Sequence, residues 1–200
     1  MEEPRFLFLE GNPAWLDFVN TKFVLGERPV DRLQTYDDLL DWLRAAGLLE
    51  SGRPAATARA WNGREALHRA RKLRAALHDA AEQQYRNGRF PASAVRALNE
   101  LLEAAPGTYR LSPAGDGLTL SYAAAPRKAL HLLEPLVRSA AQFLAGADLR
   151  RIKKCGNEKC VLYYYDATKN QGRRWCSMAL CGNRMKAAAH YRRTKEREES

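Results

Sequence analysis

The sequence has no cysteine in its first 154 residues, no apolar run approaching the roughly 20 residues that span a bilayer, no Gly-rich phosphate loop and no HExxH helix. Its opening Met1-Glu2-Glu3 lacks the basic start of a signal peptide, so neither secretion nor a membrane location is expected, and a cytoplasmic one is. Asp17, Asn20, His68 and His78 are polar residues within apolar segments, but no nucleophile stands beside a base in a recognisable context. The chain is therefore expected not to be an enzyme. No internal repeat or low-complexity tract interrupts it, although residues 55–105 are rich in alanine. What is present suffices for a core of ordinary size: 200 residues, 46% hydrophobic and 28% charged.

Charge is unevenly placed. Of the 33 Lys and Arg residues, 14 lie in residues 149–200 together with only five of the 23 acids, so this last quarter carries +9 of the net +10. Such asymmetry is the usual footprint of a polyanion-binding module joined to a neutral one, the alternative being a solvated basic surface, and a boundary is expected near Gly146 to Leu149. Two units follow: residues 1–146, expected to sense a ligand or mediate assembly, and a basic unit at 149–200.

Along the first unit, Phe6 to Leu9 reads as a strand and Ala14 to Thr21 as a short helix. Thr35 is a natural N-cap for a helix whose Tyr36, Leu39, Leu40 and Leu43 recur at helical spacing until Gly47. Asn62 and Glu65 resemble a capping box opening a helix of about seven turns that stops at Asn87-Gly88. Pro91 opens another, with Val95, Leu98, Leu101 and Leu102 on one face. Thr108 to Leu111 and Leu118 to Tyr122 predict a hairpin with a six-residue loop, and Pro126 to Leu144 a last helix kinked at Pro135. An effector pocket is expected between the long helix, the kinked helix and residues 16–21, with Asp17, Asn20, Arg71 and Arg74 supplying polarity. The alternative for Asp17, Asn20 and Thr21 is a structural hydrogen-bond cluster.

Cys155 and Cys160 are separated by four residues, as are Cys176 and Cys181. Two close cysteine pairs brought together by one loop supply the four thiolates of a tetrahedral zinc site, and a shell so filled leaves no position for a reactive water. One structural Zn2+ is the expected cofactor. An iron–sulfur cluster, unpaired core cysteines, and replacement of one ligand by His190 are the alternatives. Between the pairs, Val161 to Tyr165 reads as one strand and Arg173-Arg174-Trp175 as its return. Beyond Gly182 a helix to about Arg197 places Cys181, Met185, Ala188 and Arg192 along one stripe and Lys186, His190, Arg193 and Arg197 along another. Arg173, Arg174, Arg184, Lys186, Arg193 and Lys195 are the candidate nucleic-acid contacts, with Arg184 alternatively bracing the zinc loop. Tyr163, Tyr164 and Tyr165 read either as a strand with alternate rings buried or as stacking platforms for RNA.

Residues 155–197 resemble the CGNR zinc finger: Cys181-Gly182-Asn183-Arg184 spells the signature, after Arg174-Trp175-Cys176-Ser177-Met178. The earlier part is similar to the sensor-like domain that accompanies this finger in bacteria, through Leu16-Asp17-Phe18-Val19-Asn20-Thr21 and Leu39-Leu40-Asp41-Trp42-Leu43. The resemblance implies a stress-induced transcription regulator that binds DNA. The fold expected is α+β and mainly helical: a helical domain with one β-hairpin, then a small treble-clef-like zinc module of hairpin and helix. DNA, a small-molecule effector and a second copy of the chain are the expected partners; an RNA-binding or protein-interaction module meeting an acidic partner is the alternative.

Overall fold

The computed structural model describes residues 5–25, 28–49, 61–105, 107–115 and 117–198. Its first element, α1 (Ala14–Val19), has only six residues, yet five of them are buried, because it threads the middle of the core instead of lying on its surface. The chain then turns into an antiparallel hairpin, β1 (Lys22–Leu25) with β2 (Arg28–Asp31), which the apolar pattern did not reveal. Helix α2 (Tyr36–Ala45) starts as expected at Thr35: its hydroxyl accepts from the Asp38 N–H while the Asp38 carboxylate accepts from the Thr35 N–H, a reciprocal cap.

Helix α3 (Arg64–Asn87) ends at Gly88, whose φ of +66° is the left-handed stop that glycine adopts without penalty. Its start corrects the expected capping box. Gly63 is the N-cap, because a side chain there would run into the Tyr36 ring, and Asn62 only accepts from the Arg64 N–H. Helix α4 (Ala92–Ala104) buries Ala94, Leu98 and Leu101 but leaves Val95 exposed, one residue off the expected face. Strands β3 (Gly107–Ala114) and β4 (Gly117–Ala124) form the predicted hairpin with a tighter connection than six residues, since Ala114 pairs with Gly117. Pro135 does not kink a helix. It sits in the first turn of α5 (Glu134–Gly146), after a separate 3-10 turn over Ala129–Leu133, where its missing N–H costs nothing. Phe6 to Leu9 is irregular and not a strand.

Trp15, Leu16 and Phe18 of α1, Trp42 of α2, Leu73 and Leu77 of α3, and Leu133 and Val137 at α5 form one continuous core. Burial of each such side chain stabilises the fold by about 1.5–3 kcal/mol. These side chains lie in the region between the long helix, residues 129–146 and residues 16–21 where an effector pocket was expected. Strands β5 (Ile152–Lys154) and β6 (Tyr163–Tyr165) pair antiparallel and join the basic unit to this core, since Ile152 and Tyr163 belong to it. Residues 173–175 are therefore not the return strand of β6; that place is taken by residues preceding the first cysteine. The chain ends in a π-turn over Met178–Gly182 and helix α6 (Asn183–Glu198). No described helix is long and apolar enough to cross a membrane. The architecture is mainly helical, as the sequence predicts, with three small antiparallel sheets among the described residues, of which the β1–β2 hairpin was not expected.

Candidate metal centre and its surroundings

Strand β5 ends at Lys154, so Cys155 emerges at its tip; the loop returns through Cys160 into β6, and Cys176 and Cys181 approach from the segment that opens α6. The four Sγ atoms lie within 4.8 Å of one another, with Cys155, Cys176 and Cys181 buried and Cys160 half-buried. A tetrahedron of thiolates about 2.3 Å from zinc has edges of about 3.8 Å, and Cys160 Sγ stands 3.9 Å from Cys176 Sγ. His190 is exposed on α6 and outside the cluster. The residues thus fit one structural zinc ion held by Cys155, Cys160, Cys176 and Cys181.

Electrostatics lead to the same requirement. Thiol hydrogen bonds from Cys160 and Cys176, with the Cys176 N–H, hold the Cys155 thiol far below its usual range, and that same contact pushes Cys160 and Cys176 up. Charge on one sulfur thus opposes charge on the others until a divalent cation joins them. Two donors already face the sulfurs: the Cys176 N–H at 3.4 Å from Cys155 Sγ, and Asn157 Nδ2 at 3.4 Å from Cys181 Sγ. The signature residues around them have separate mechanical tasks. Ser177 Oγ accepts from the Leu180 N–H and caps the π-turn. Gly182 is buried under Met178 and Trp175, and a Cβ there would come within 2.5 Å of Met178 Sδ.

Arg173 braces this loop, the role considered for Arg184. Its guanidinium donates to the carbonyls of Trp175 (3.0 Å), Cys176 and Glu10 (2.8 Å), and lies 4.6 Å from the centre of the Tyr164 ring. Fully buried Asp166 secures the other end, accepting from the Thr168 and Arg173 N–H groups; burial pushes its carboxyl up, but these bonds hold it below the ordinary range. Arg174 is exposed and stacks over Trp175, with 5.2 Å from guanidinium to ring.

Helix α6 projects from the zinc loop with Met185 and Ala189 half-buried and its other described side chains exposed. Lys186, His190, Arg193 and Arg197 recur at spacings of four, three and four and share the outer face. Arg184 and Arg192 turn the other way, with Met185 and Ala188, toward the body of the protein. Lys195 is exposed and has a partner of its own. Tyr163 and Tyr164 are both fully buried, because β6 is covered on both faces: Tyr163 and Tyr165 pack on the helical core and Tyr164 on the zinc side. The stacking platform expected for RNA is therefore absent from Tyr163 and Tyr164, and the reading of alternate burial is corrected as well.

The four polar residues considered for an effector all have protein partners. Asn20 Nδ2 donates to the Tyr163 carbonyl (2.8 Å) and its Oδ1 accepts from the Tyr163 N–H (3.1 Å), so one buried side chain pairs the free edge of β6. Asn12, which no sequence pattern singled out, accepts from the Tyr165 N–H at 2.8 Å on the same edge. Asp17 accepts from the Leu9 N–H and from Asn12; burial outweighs both bonds and pushes its carboxyl up to about 6. Arg74 is buried and forks onto Asp31 at 2.6 and 2.7 Å while donating to Thr21 Oγ1. Burial pushes Asp31 up, but Arg74 prevails and holds its carboxyl below the ordinary value. Arg71 donates to the carbonyls of Leu33 and Gln34.

Residues 12–147 match the model of the ABATE family, described as "Putative stress-induced transcription regulator", and residues 151–194 match that of the CGNR zinc finger. Neither description is that of an enzyme. No curated protein matches the chain.

Proposed function

Because the chain belongs to the ABATE family, described as "Putative stress-induced transcription regulator", and carries a CGNR zinc finger, we propose that it is a cytoplasmic, zinc-dependent regulator whose last helix binds DNA and whose first unit responds to an effector. The observation that carries this reading is the outer face of α6, where Lys186, Arg193 and Arg197 stand together and exposed, on a helix anchored at one end by the zinc loop. A rigidly based cationic helix of 16 residues has the length and charge to lie in a major groove. Lys186 and Arg193 face outward to reach base edges; Arg174, Arg197 and Lys195 flank them and meet phosphates; Arg173, with its guanidinium engaged by carbonyls, supports the loop instead of touching DNA, and Arg184 faces the body of the protein. Four cysteines clustered as metal ligands suit the reducing cytoplasm.

Assembly is carried by a separate observation. Tyr109 opposite Tyr122, Leu111 opposite Leu120 and Pro113 opposite Leu118 make an apolar ladder on one face of the β3–β4 hairpin, and Tyr109, Leu111, Leu118 and Leu120 are 60–69% exposed. A two-stranded hairpin with an uncovered apolar face is marginal alone. The ladder itself carries no charge, so a second copy can dock face to face there without burying an ion.

Fluorescence anisotropy of the zinc-loaded chain on duplex DNA tests the DNA reading. With about five phosphates neutralised, log affinity falls with log salt at a slope of about −4 to −5. Lys186→Ala and Arg193→Ala change sequence preference, whereas Arg174→Glu weakens all duplexes alike. Binding to duplex no tighter than to an acidic polypeptide of equal charge at physiological salt replaces this reading with a protein-interaction module.

A further inference from the structure

Where the helical unit and the zinc module meet, the surface opens into a cleft of about 770 Å3, within the range of small-molecule sites. Phe23 and Val24 of β1 form one wall. Leu180 of the π-turn and Met185 of α6 form the facing wall, and the zinc loop from Gly156 to Cys160 lies between them. Arg184 and Arg192, two turns apart on α6, both border the cleft, and neither has an ion pair among the described residues. Arg32 and Lys159 add positive charge, against Glu158 as the one acidic residue in the lining.

We infer that this cleft is the effector site, and that it takes an organic carboxylate with an apolar body. The walls discriminate between ligand classes. A small inorganic anion leaves the apolar walls wet, and a neutral hydrocarbon makes no use of the guanidinium groups. A molecule with a carbon body of modest size and one carboxylate satisfies both, the body between Val24 and Met185 and the carboxylate forked by Arg184 or Arg192. The inference deepens the regulator reading by naming the effector's class, and it relocates the site from the packed helical interior to the junction of the two units.

The location supplies a coupling. One wall is fixed to the body through β1, while the other belongs to the base and first turns of the helix proposed to bind DNA. A ligand touching both favours arrangements of α6 in which the walls stand at the right separation, and by linkage DNA that favours another arrangement weakens the ligand by the same factor.

Isothermal titration of the zinc-loaded full chain with octanoate and with 1-naphthoate tests the site, with octanol as the neutral control. The expected result is saturable binding of one carboxylate per chain, about tenfold tighter than octanol, the contribution of one charge-assisted contact. The aliphatic and aromatic arms show which body fits better. Two variants approach from opposite walls: Arg184→Ala with Arg192→Ala removes the cations, and Val24→Glu places a carboxylate in the cleft without touching α6. Each weakens octanoate and 1-naphthoate about tenfold or more, with zinc content and circular dichroism unchanged. If neither carboxylate binds, or if both variants bind like the parent, the inference fails. Because no DNA enters the titration, carboxylate binding without DNA binding overturns the function proposed above and leaves this site standing; DNA binding without carboxylate binding does the reverse.

Discussion

Asn20→Ala tests how the zinc module is attached. Asn20 is 2% exposed and both ends of its amide engage the backbone of Tyr163, whose own side chain has no solvent exposure. Alanine removes the two partners without giving water a route to replace them, so one N–H and one C=O are left buried and unpaired. At about 1–3 kcal/mol for each orphaned group, the loss comes to about 2–6 kcal/mol, a large share of an ordinary domain's 5–15 kcal/mol. Asn12→Ala is the internal comparison. Asn12 is half-buried, water reaches its place, and the cost falls to about 1 kcal/mol or less. Urea unfolding of the zinc-loaded proteins gives the two losses, and hydrogen exchange at the Tyr163 amide reports the clamp itself. If Asn20→Ala stays within about 0.5 kcal/mol of the parent and the Tyr163 amide remains as protected, the clamp argument is wrong.

Metal analysis of the parent gives one zinc per chain, and Cys176→Ser or Cys181→Ser loses it together with the order of the π-turn and α6; full occupancy in either variant rejects the four-thiolate shell. Asp17, raised from 3.8 to about 6 chiefly by burial, holds its proton more tightly folded than unfolded, so its contribution is complete below about pH 4 and is lost as pH rises through about 6. The parent therefore loses about 3 kcal/mol over that window relative to Asp17→Asn, and parallel stability curves for the two proteins would falsify this. Leu111→Ser with Leu120→Ser converts a dimer to a monomer in sedimentation velocity if the hairpin ladder is the assembly face; a parent that is monomeric at tens of micromolar rejects it. Arg173→Ala releases zinc faster to a chelator while Arg184→Ala does not, the reverse order assigning the bracing to Arg184.

Elements whose signals are local were legible in the sequence. Thr35 with Asp38, Gly88 after a long amphipathic run, and paired cysteines each act within a few residues, and the helices and the metal shell follow from them. Elements decided by distant partners were not. Strand β5 has three residues and no alternating pattern; it exists because β6 lies beside it and α3 beneath it. Asn20 stands in an apolar segment, which reads equally as ligand chemistry or structure until its partner, 143 residues away, is known. The same holds for Arg173 and Arg184: both are arginines in a basic segment, and only the positions of three carbonyls separate a brace from a cleft-lining residue.

Strand β6 explains why a zinc finger and a helical domain occur in one chain as a single mechanical unit. Its side chains alternate, as in any strand, but here both faces are covered: Tyr163 and Tyr165 contribute to the helical core, and Tyr164 to the cluster that contains Cys155, Cys176 and Cys181. Phe23 of β1 reaches into that second cluster from the helical side. The metal therefore orders residues that the helical core also needs, and the core holds a strand whose neighbours carry the metal. A change in the packing around β1 and β6 reaches the base of α6 through the buried contacts of this cluster. On the proposed reading, the angle of the helix proposed to bind DNA depends on what occupies the cleft beside it, and one organic carboxylate at the junction shifts the balance between binding-competent and incompetent helix positions.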